Sequence, residues 1–435
     1  MASLSYGPRE TKRGRISHIR AEKLCIRGSN QDNYSAFLQT GMGSIPIEIK
    51  KKQKKKQCKQ KTRLIQSGTA FEFYGRATAG VKKTKKNKTF FLPRLFQLKP
   101  PPLYAALDLG TNNCRLLIAS PRKPGCFRVV DAFSRIIRWG EGLIDNVFLN
   151  TQAMDRAIEA LKICHLKLRQ RHIKRYRLVA TEACRSAKNG QHFIQRVLDE
   201  TGLKLEIVDR ETEARFAVSG CGSLVEPNTD AIVLFDIGGG SSEIVLLDVS
   251  KKHSLRLTEQ ITAWTSLSVG VVTFAERFGG DKICLDDFEK MKNYVRSFLN
   301  NFSGRYKLGV LAQGSKFHLL GTSGTITTLA GIHLNLERYD RRQVDGIWMN
   351  DTDITLIMKR LLSWDIKKRA NNPCIGPGRA DLILAGCAIL DVIREVWPSQ
   401  QLRVADRGLK EGILIELMLR DDVWGGYRKG KSFKC

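Results

Sequence analysis

Two short stretches of this 435-residue chain carry the same arrangement of reactive residue types. One is Asp108-Leu-Gly-Thr-Asn-Asn and the other is Asp236-Ile-Gly-Gly-Gly-Ser-Ser-Glu. Gly110 and the run Gly238-Gly239-Gly240 permit tight, partly positive-φ backbone, so that amide N–H groups can converge on an anion. Thr111, Asn112 and Ser241 add neutral donors. Asp108 and Asp236 stand at the head of each turn, where a carboxylate can hold Mg2+ directly or through its waters. A third loop, Gly321-Thr322-Ser323-Gly324-Thr325, runs from a strand-like segment into a helix-like one, and a helix amino terminus is a ready anion site. The phosphate-binding candidates are therefore Gly110, Thr111, Asn112, Gly238, Gly239, Gly240, Ser241, Ser323, Gly324 and Thr325. Phosphoryl transfer to water further needs a carboxylate that positions or deprotonates the nucleophile. Glu213 in RETEARF and Glu243, just after the Ser pair, are the candidates. One glycine-rich hairpin alone is an ordinary turn; two, each with its acid at one fixed offset, read as a clamp. No Walker A loop is present, since GVLAQGSK at 309–316 has Ser where that motif needs Lys.

These residues need elements to position them. Aligning Asp108 with Asp236 brings Gly110 onto Gly238 and Arg115 onto Glu243. Each turn lies between two apolar runs, which reads as a buried hairpin. After the first hairpin the pattern predicts a strand at Phe127–Ala132 and a helix at Met154–Arg169 capped by Thr151. A strand Tyr176–Ala180, a helix through Phe193–Leu198, a strand Leu205–Val208 and a helix from Glu211 follow. After the second come a strand at Ile261–Leu267, a helix near Phe288–Phe302 and a strand Phe317–Leu320. Helices around Ile326–Leu334, Asp353–Leu362 and Leu382–Val396 precede a strand Gln401–Val404 and a last helix from Gly408. Twice over the order is β-β-β-α-β-α-β-α with elaborations, so the fold class is α/β with two related domains.

Charge is uneven. The formal net charge is +30, and residues 1–100 hold 24 Lys/Arg against 5 Asp/Glu, a net of +19 that leaves +11 on the remainder. Runs such as KKKQKKKQCK from Lys50 repel themselves, stay unfolded and bind polyanions without sequence choice. Pro100, Pro101 and Pro102 form a stiff break after this arm. The eleven scattered cysteines, with no C-x-x-C pair, suit a reducing, cytoplasmic setting. No apolar run is long enough to span a membrane.

Several motifs in order, DLGTNNCRL at 108–116, ATEACR at 180–185, EAR at 213–215, DIGGGSSE at 236–243, GTSGT at 321–325, GRADLILAG at 378–386 and ADRGLKEG at 405–412, resemble those of the exopolyphosphatase/guanosine pentaphosphate phosphatase (Ppx/GppA) family of the actin-like ATPase superfamily. The resemblance covers about Tyr104 to Met418. It implies two ribonuclease-H-like domains facing across a cleft, here 101–228 and 229–421, with a disordered basic arm at 1–100 and a tail at 422–435. It implies Mg2+-dependent hydrolysis of the terminal phosphate of polyphosphate or pppGpp. Glu213 then resembles the glutamate that activates water, Asp108, Asp236 and Glu243 the acidic cluster around the metal, and Arg185 a phosphate-pairing cation. Three departures stand out: Thr212 in place of a second acid before Glu213, Lys410 where Arg is common, and an end too early for extra helical domains. A homodimer is compatible with the sequence. The competing readings are a superfamily kinase or ATPase, and a polyanion- or nucleic-acid-binding protein acting through its arm.

Overall fold

The computed structural model describes residues 100–143, 147–251 and 256–425. The expected arm and most of the expected tail fall outside the described residues. The described chain builds two sheets. The first joins β1 (Leu103–Leu109), β2 (Asn113–Pro121), β3 (Phe127–Ile136), β4 (Ile173–Ala180) and β5 (Glu206–Ile207) in the order β3-β2-β1-β4-β5. The second joins β6 (Ala231–Ile237), β7 (Ser242–Asp248), β8 (Ile261–Leu267), β9 (Phe317–Thr322), β10 (Trp348–Asn350) and β11 (Gln401–Ala405) in the order β10-β11-β9-β6-β7-β8. Apart from the added β10, the second order repeats the first. In both, three antiparallel strands from consecutive hairpins continue into parallel strands reached through helices.

The helices between these strands are α1 (Thr151–Arg169), α2 (Glu182–Ser186), α3 (Gly190–Thr201) and α4 (Arg210–Cys221) in the first half. The second half contributes α5 (Val271–Phe278), α6 (Leu285–Asn300), α7 (Gly324–His333), α8 (Arg341–Val344), α9 (Asp351–Leu362), α10 (Ile366–Asn371), α11 (Ile383–Val396) and α12 (Leu409–Arg420). The cap of α1 differs from the sequence expectation. Asn150, in extended backbone, accepts from the Ala153 amide at 2.7 Å, and Thr151 is the first helical residue. An Asx side chain satisfies the orphan amide as well as a hydroxyl does, so Asn-Thr in sequence left the choice open. Helix α5 and the short α2, α8 and α10 had no sequence expectation; one or two turns give too little periodicity to read.

The central strands are apolar on both faces because each sheet is covered on both. In β1, Ala105, Leu107 and Leu109 pack with α1 and α3, while Tyr104 and Ala106 pack against the opposite layer. That opposite layer is supplied by α12, the last helix of the chain. Its Leu409, Ile413, Leu414 and Met418 are buried against Tyr104, Ala106, Leu117 and Val179 of the first sheet. Conversely α4, which follows the first sheet, lays Ala214, Ala217, Val218 and Cys221 on Ile232, Leu234, Val245 and Leu247 of the second. Each half thus lends a helix to the other's core. The two helices meet backbone to backbone: a Cβ on Gly412 would lie 1.9 Å from the Phe216 carbonyl oxygen, and one on Gly220 would lie 2.3 Å from that of Gly408. Only glycine permits that approach. Each fully buried large apolar side chain in such a seam contributes about 1.5–3 kcal/mol, so the crossing fastens the two halves together.

Candidate active site

The two matched turns face each other at the carboxyl ends of β1 and β6. One cavity is lined by Asp108, Gly110, Thr111, Asn112, Arg115, Glu182, Glu213, Asp236, Gly238, Gly239, Gly240, Ser241, Ser323, Gly324, Thr325 and Arg379, among others. Of the residues singled out by sequence, it gathers all but two. Arg185 and Glu243 are absent from the cavity wall and stand behind it.

The glycines do not adopt the positive φ expected of some of them: Gly110, Gly238, Gly239 and Gly240 are not among the positive-φ residues. Gly238, Gly239 and Gly240 require room instead. A Cβ on Gly239 would lie 3.0 Å from Thr111 Cβ and 3.2 Å from the Asn112 amide nitrogen, and one on Gly240 would lie 2.8 Å from Thr111 Oγ1. The bare backbone of the second turn therefore packs directly on the side chains of the first. Within each turn a tight bond fixes the shape: the Gly110 amide donates to the Asn113 carbonyl, and the Gly238 amide to that of Ser241, both at 2.9 Å. Left-handed backbone does occur in the third loop, at Ser323 (φ 115°), which sits just before α7 with its hydroxyl buried and unpartnered. A non-glycine residue in that region stores strain, a common mark of functional loops.

Cross-strand register explains the carboxylates. Asp108 pairs with Arg115 across β1–β2, and Asp236 with Glu243 across β6–β7. The same position in the repeat thus supplies a cation in one half and an acid in the other. No hydrogen bond or ion pair from the described residues reaches the carboxylate of Asp108 or Asp236. Burial raises both above the ordinary range, Asp236 to about 6, with Arg115 and Lys410 pulling the other way. Glu243 is buried, accepts from Ser241 Oγ at 2.7 Å and Ser266 Oγ at 2.9 Å, and is pushed up to about 7 by burial and by Asp236. Glu213 is held well above the carboxylate range by burial and by Glu243, against the pull of Arg185.

Arg185 is the organiser of this wall. Its Nη1 and Nη2 both donate to Glu213 Oε2 at 3.2 Å, its Nε and Nη2 to Glu182 Oε2 at 3.1 and 2.5 Å, and its Nη1 to the Val208 carbonyl at 2.6 Å. Its fork is thus directed at Glu213 and Glu182. Glu182 also accepts from Arg210 Nη2 (3.0 Å) and Ser186 (2.5 Å), and although burial pushes it up, these donors hold it below the usual range. The result is one carboxylate kept ionised and one with a raised pKa, on the same arginine.

Three wall residues escaped the sequence reading of the site. Glu182 lies in ATEACR and Arg379 in GRADLILAG, motifs that were visible without their side chains having roles. Arg115 was noted only as the counterpart of Glu243. Arg115 and Arg379 have no hydrogen-bond or ion-pair partner among the described residues, and a Cβ on Gly324 would lie 3.3 Å from Arg379 Nη1. Both cations also line a groove that continues from the cavity past Phe133, Tyr339 and Lys410. Lys410 bonds Glu411 at 3.0 Å.

Among the described residues no three carboxylate, imidazole or thiol groups come together as a ready-made metal cage. Asp108 and Asp236 enter from opposite halves, and one oxygen of Glu243 is taken by two serines. Magnesium does not require such a cage: it keeps several waters and is bound through one or two carboxylates plus substrate phosphates. Two half-buried carboxylates without donors among the described residues, facing a common cavity, fit that mode.

The likeness to known proteins agrees with this geometry. Residues 118–421 match the model of the Ppx/GppA phosphatase family. The chain is 28% identical over 326 residues to "Exopolyphosphatase 2" of Mycobacterium tuberculosis, covering 72% of this chain and 98% of that one. It is 28% identical over 329 residues to the "Bifunctional 3-dehydroquinate synthase/phosphatase" of Fusobacterium nucleatum, of which it spans 46%. It is 25% identical over 330 residues to the "Guanosine-5'-triphosphate,3'-diphosphate pyrophosphatase" of Photobacterium profundum, covering 73% of this chain and 59% of that one. The crystal structure of the Aquifex aeolicus Ppx/GppA family member superposes with a TM-score of 0.61 at 26% identity, covering 74% of this chain and 99% of that one. The chain belongs to the Ppx/GppA phosphatase family.

Proposed function

We propose that the chain hydrolyses the terminal phosphoanhydride of inorganic polyphosphate or of pppGpp, with water activated by Glu213. The observation that carries this reading is the placement of Glu213. It lines the cavity formed by both glycine turns, burial and Glu243 hold its pKa well above the carboxylate range, and Arg185 fixes its orientation. A carboxylate with a raised pKa is a stronger base toward a bound water. Backbone amides of Thr111–Asn112 and Gly238–Ser241, with the start of α7 at Ser323–Thr325, would hold the terminal phosphate. Glu213 would take the proton from a water as its oxygen attacks phosphorus, and the bridging oxygen would leave with the bond's electron pair. Arg115 and Arg379 would pair with the phosphates on the leaving side, along the groove toward Lys410. Arginine suits that task through its bidentate match to phosphate oxygens. Asp108 and Asp236, with Glu243 behind them, would hold Mg2+, which when bound neutralises charge on the phosphate oxygens. The homologues' names support the two substrate classes. Phosphate release from long-chain polyphosphate and from pppGpp, measured in parallel with Mg2+ and after EDTA treatment, tests the proposal. Release from at least one substrate that is lost with EDTA and restored by Mg2+ is expected; no release from either, with Mg2+ present, defeats it.

A further inference from the structure

The segment Ile137–Gly140, just after β3, touches the first phosphate turn from behind and reaches the other half of the molecule in front. The amides of Ile137 and Arg138 donate to the Asn112 carbonyl at 2.9 and 3.1 Å, and that of Gly140 to the Thr111 carbonyl at 3.0 Å. The backbone is anchored by Arg156, whose Nε donates to the Ile137 carbonyl at 2.9 Å, and by Trp139, buried against Phe193 with ring centroids 4.4 Å apart. Arg138 adopts φ 44°, a region that costs a non-glycine residue. Surroundings that hold it there over-determine the turn. From this position its side chain crosses the cleft. Nη1 and Nη2 donate to the two oxygens of Asp381 at 2.9 Å each, and Nη2 also to the Gly378 carbonyl at 3.2 Å. A second contact runs alongside, from the Gly142 amide to Glu276 Oε1 at 2.7 Å.

Between Gly378 and Asp381 lies Arg379, one of the two unpartnered cations of the cavity. Its loop is fixed on its own side as well: Arg369, almost fully buried, donates to the Ala380 and Asp281 carbonyls, both at 3.0 Å. A rigid turn carrying Thr111 and Asn112 is therefore joined by one bidentate bridge to a rigid turn carrying Arg379. We propose that Arg138 is a positioning residue for the reaction: its bridge to Asp381 and Gly378 holds the cleft shut, so that Arg379 and the first phosphate turn grip one phosphate chain together. This rests on the phosphoanhydride reading above. The bridge is half-exposed and cannot by itself supply much stability. Its effect is geometric, and a displacement of about 1 Å is enough to weaken a multi-point grip on an anion substantially.

The test uses the full chain and two readouts. One is the affinity for methylenediphosphonate with Mg2+, by calorimetry, which needs no turnover. The other is the division of the effect between KM and kcat with polyphosphate. Arg138→Met and Asp381→Asn should each weaken methylenediphosphonate about tenfold and raise KM in parallel, with a smaller change in kcat. The double variant should be no weaker than the worse single one. In an Arg379→Met background, Arg138→Met should add less than about twofold, because it acts through Arg379. An affinity and KM for Arg138→Met within about twofold of the unsubstituted protein, or an undiminished effect when Arg379 is already gone, overturns the proposal. If Arg138→Met fails to fold, Arg138→Lys decides: it keeps the charge and loses the fork, so an intermediate weakening is expected and none refutes it. A protein that binds the diphosphonate yet releases no phosphate would sink the hydrolase reading while the affinity arm still judges the bridge.

Discussion

Arg185→Met probes the wall behind the cavity most sharply. Arg185 is four-fifths buried and is the cation between Glu182 and Glu213, with side-chain exposure of 18% against 9% and 14% for its partners. Removing it leaves Glu182 with Arg210 and Ser186, but Glu213 with no cation in contact among the described residues. Deleting one partner of a buried pair typically costs about 3–5 kcal/mol. Partial exposure and the cavity's access to water place this case at the lower end, about 3 kcal/mol. The second consequence is electrostatic. Burial and Glu243 already raise the Glu213 pKa, and Arg185 is the group that pulls it down. Without that pull the pKa moves further up, so the acid limb of kcat/KM versus pH should shift to higher pH. The loss of orientation should add about a hundredfold drop in kcat at the optimum. Arg185→Lys should restore part of the charge effect and little of the orientation. Urea unfolding and a full pH–rate profile measure both consequences. A profile whose acid limb does not move, in a folded Arg185→Met protein, would refute the assignment of Arg185 as the partner that sets Glu213.

Gly239→Ala adds a methyl 3.0 Å from Thr111 Cβ and 3.2 Å from the Asn112 nitrogen, so it should part the two turns; about 1–3 kcal/mol of stability and about a hundredfold in kcat/KM should be lost, readable by thermal melts and steady-state assay. His318, buried beside Trp348 with Nε2 unpartnered, is pushed down to about 4 by burial and by Arg403. Between pH 6.5 and 4 the unfolded chain therefore binds a proton that the folded chain does not, so stability falls as pH drops through that window, by up to about 3 kcal/mol. His318→Phe should flatten that part of the Tm–pH curve, and an unchanged slope would show that His318 does not drive it.

Much of the fold was legible because its signals are local. An acid, a glycine two residues on and flanking apolar runs define each hairpin within about fifteen residues, and the repeat of that unit implied the repeated strand order. What escaped is long-range. Nothing near Leu409 announces that α12 will cover the first sheet, since its apolar stripe is equally suited to either core. Gly220 and Gly412 are ordinary helix glycines until the two helices are seen to touch. Arg379 and Glu182 sat inside visible motifs, yet their meeting with Thr111 and Glu213 depends on how the halves close. The glycine turns illustrate a subtler limit: at Gly239 and Gly240 the structure shows close approach of the first turn rather than positive φ, which a sequence does not display.

The central claim is that Glu213 activates the water that attacks the terminal phosphate. It is tested most directly by single-turnover phosphate release from Glu213→Gln beside the unsubstituted protein, with each of polyphosphate and pppGpp. A fall of roughly 10²–10⁴ in the chemical rate, with substrate affinity little changed, is expected. A Glu213→Gln protein that releases phosphate at a near-normal rate would contradict it.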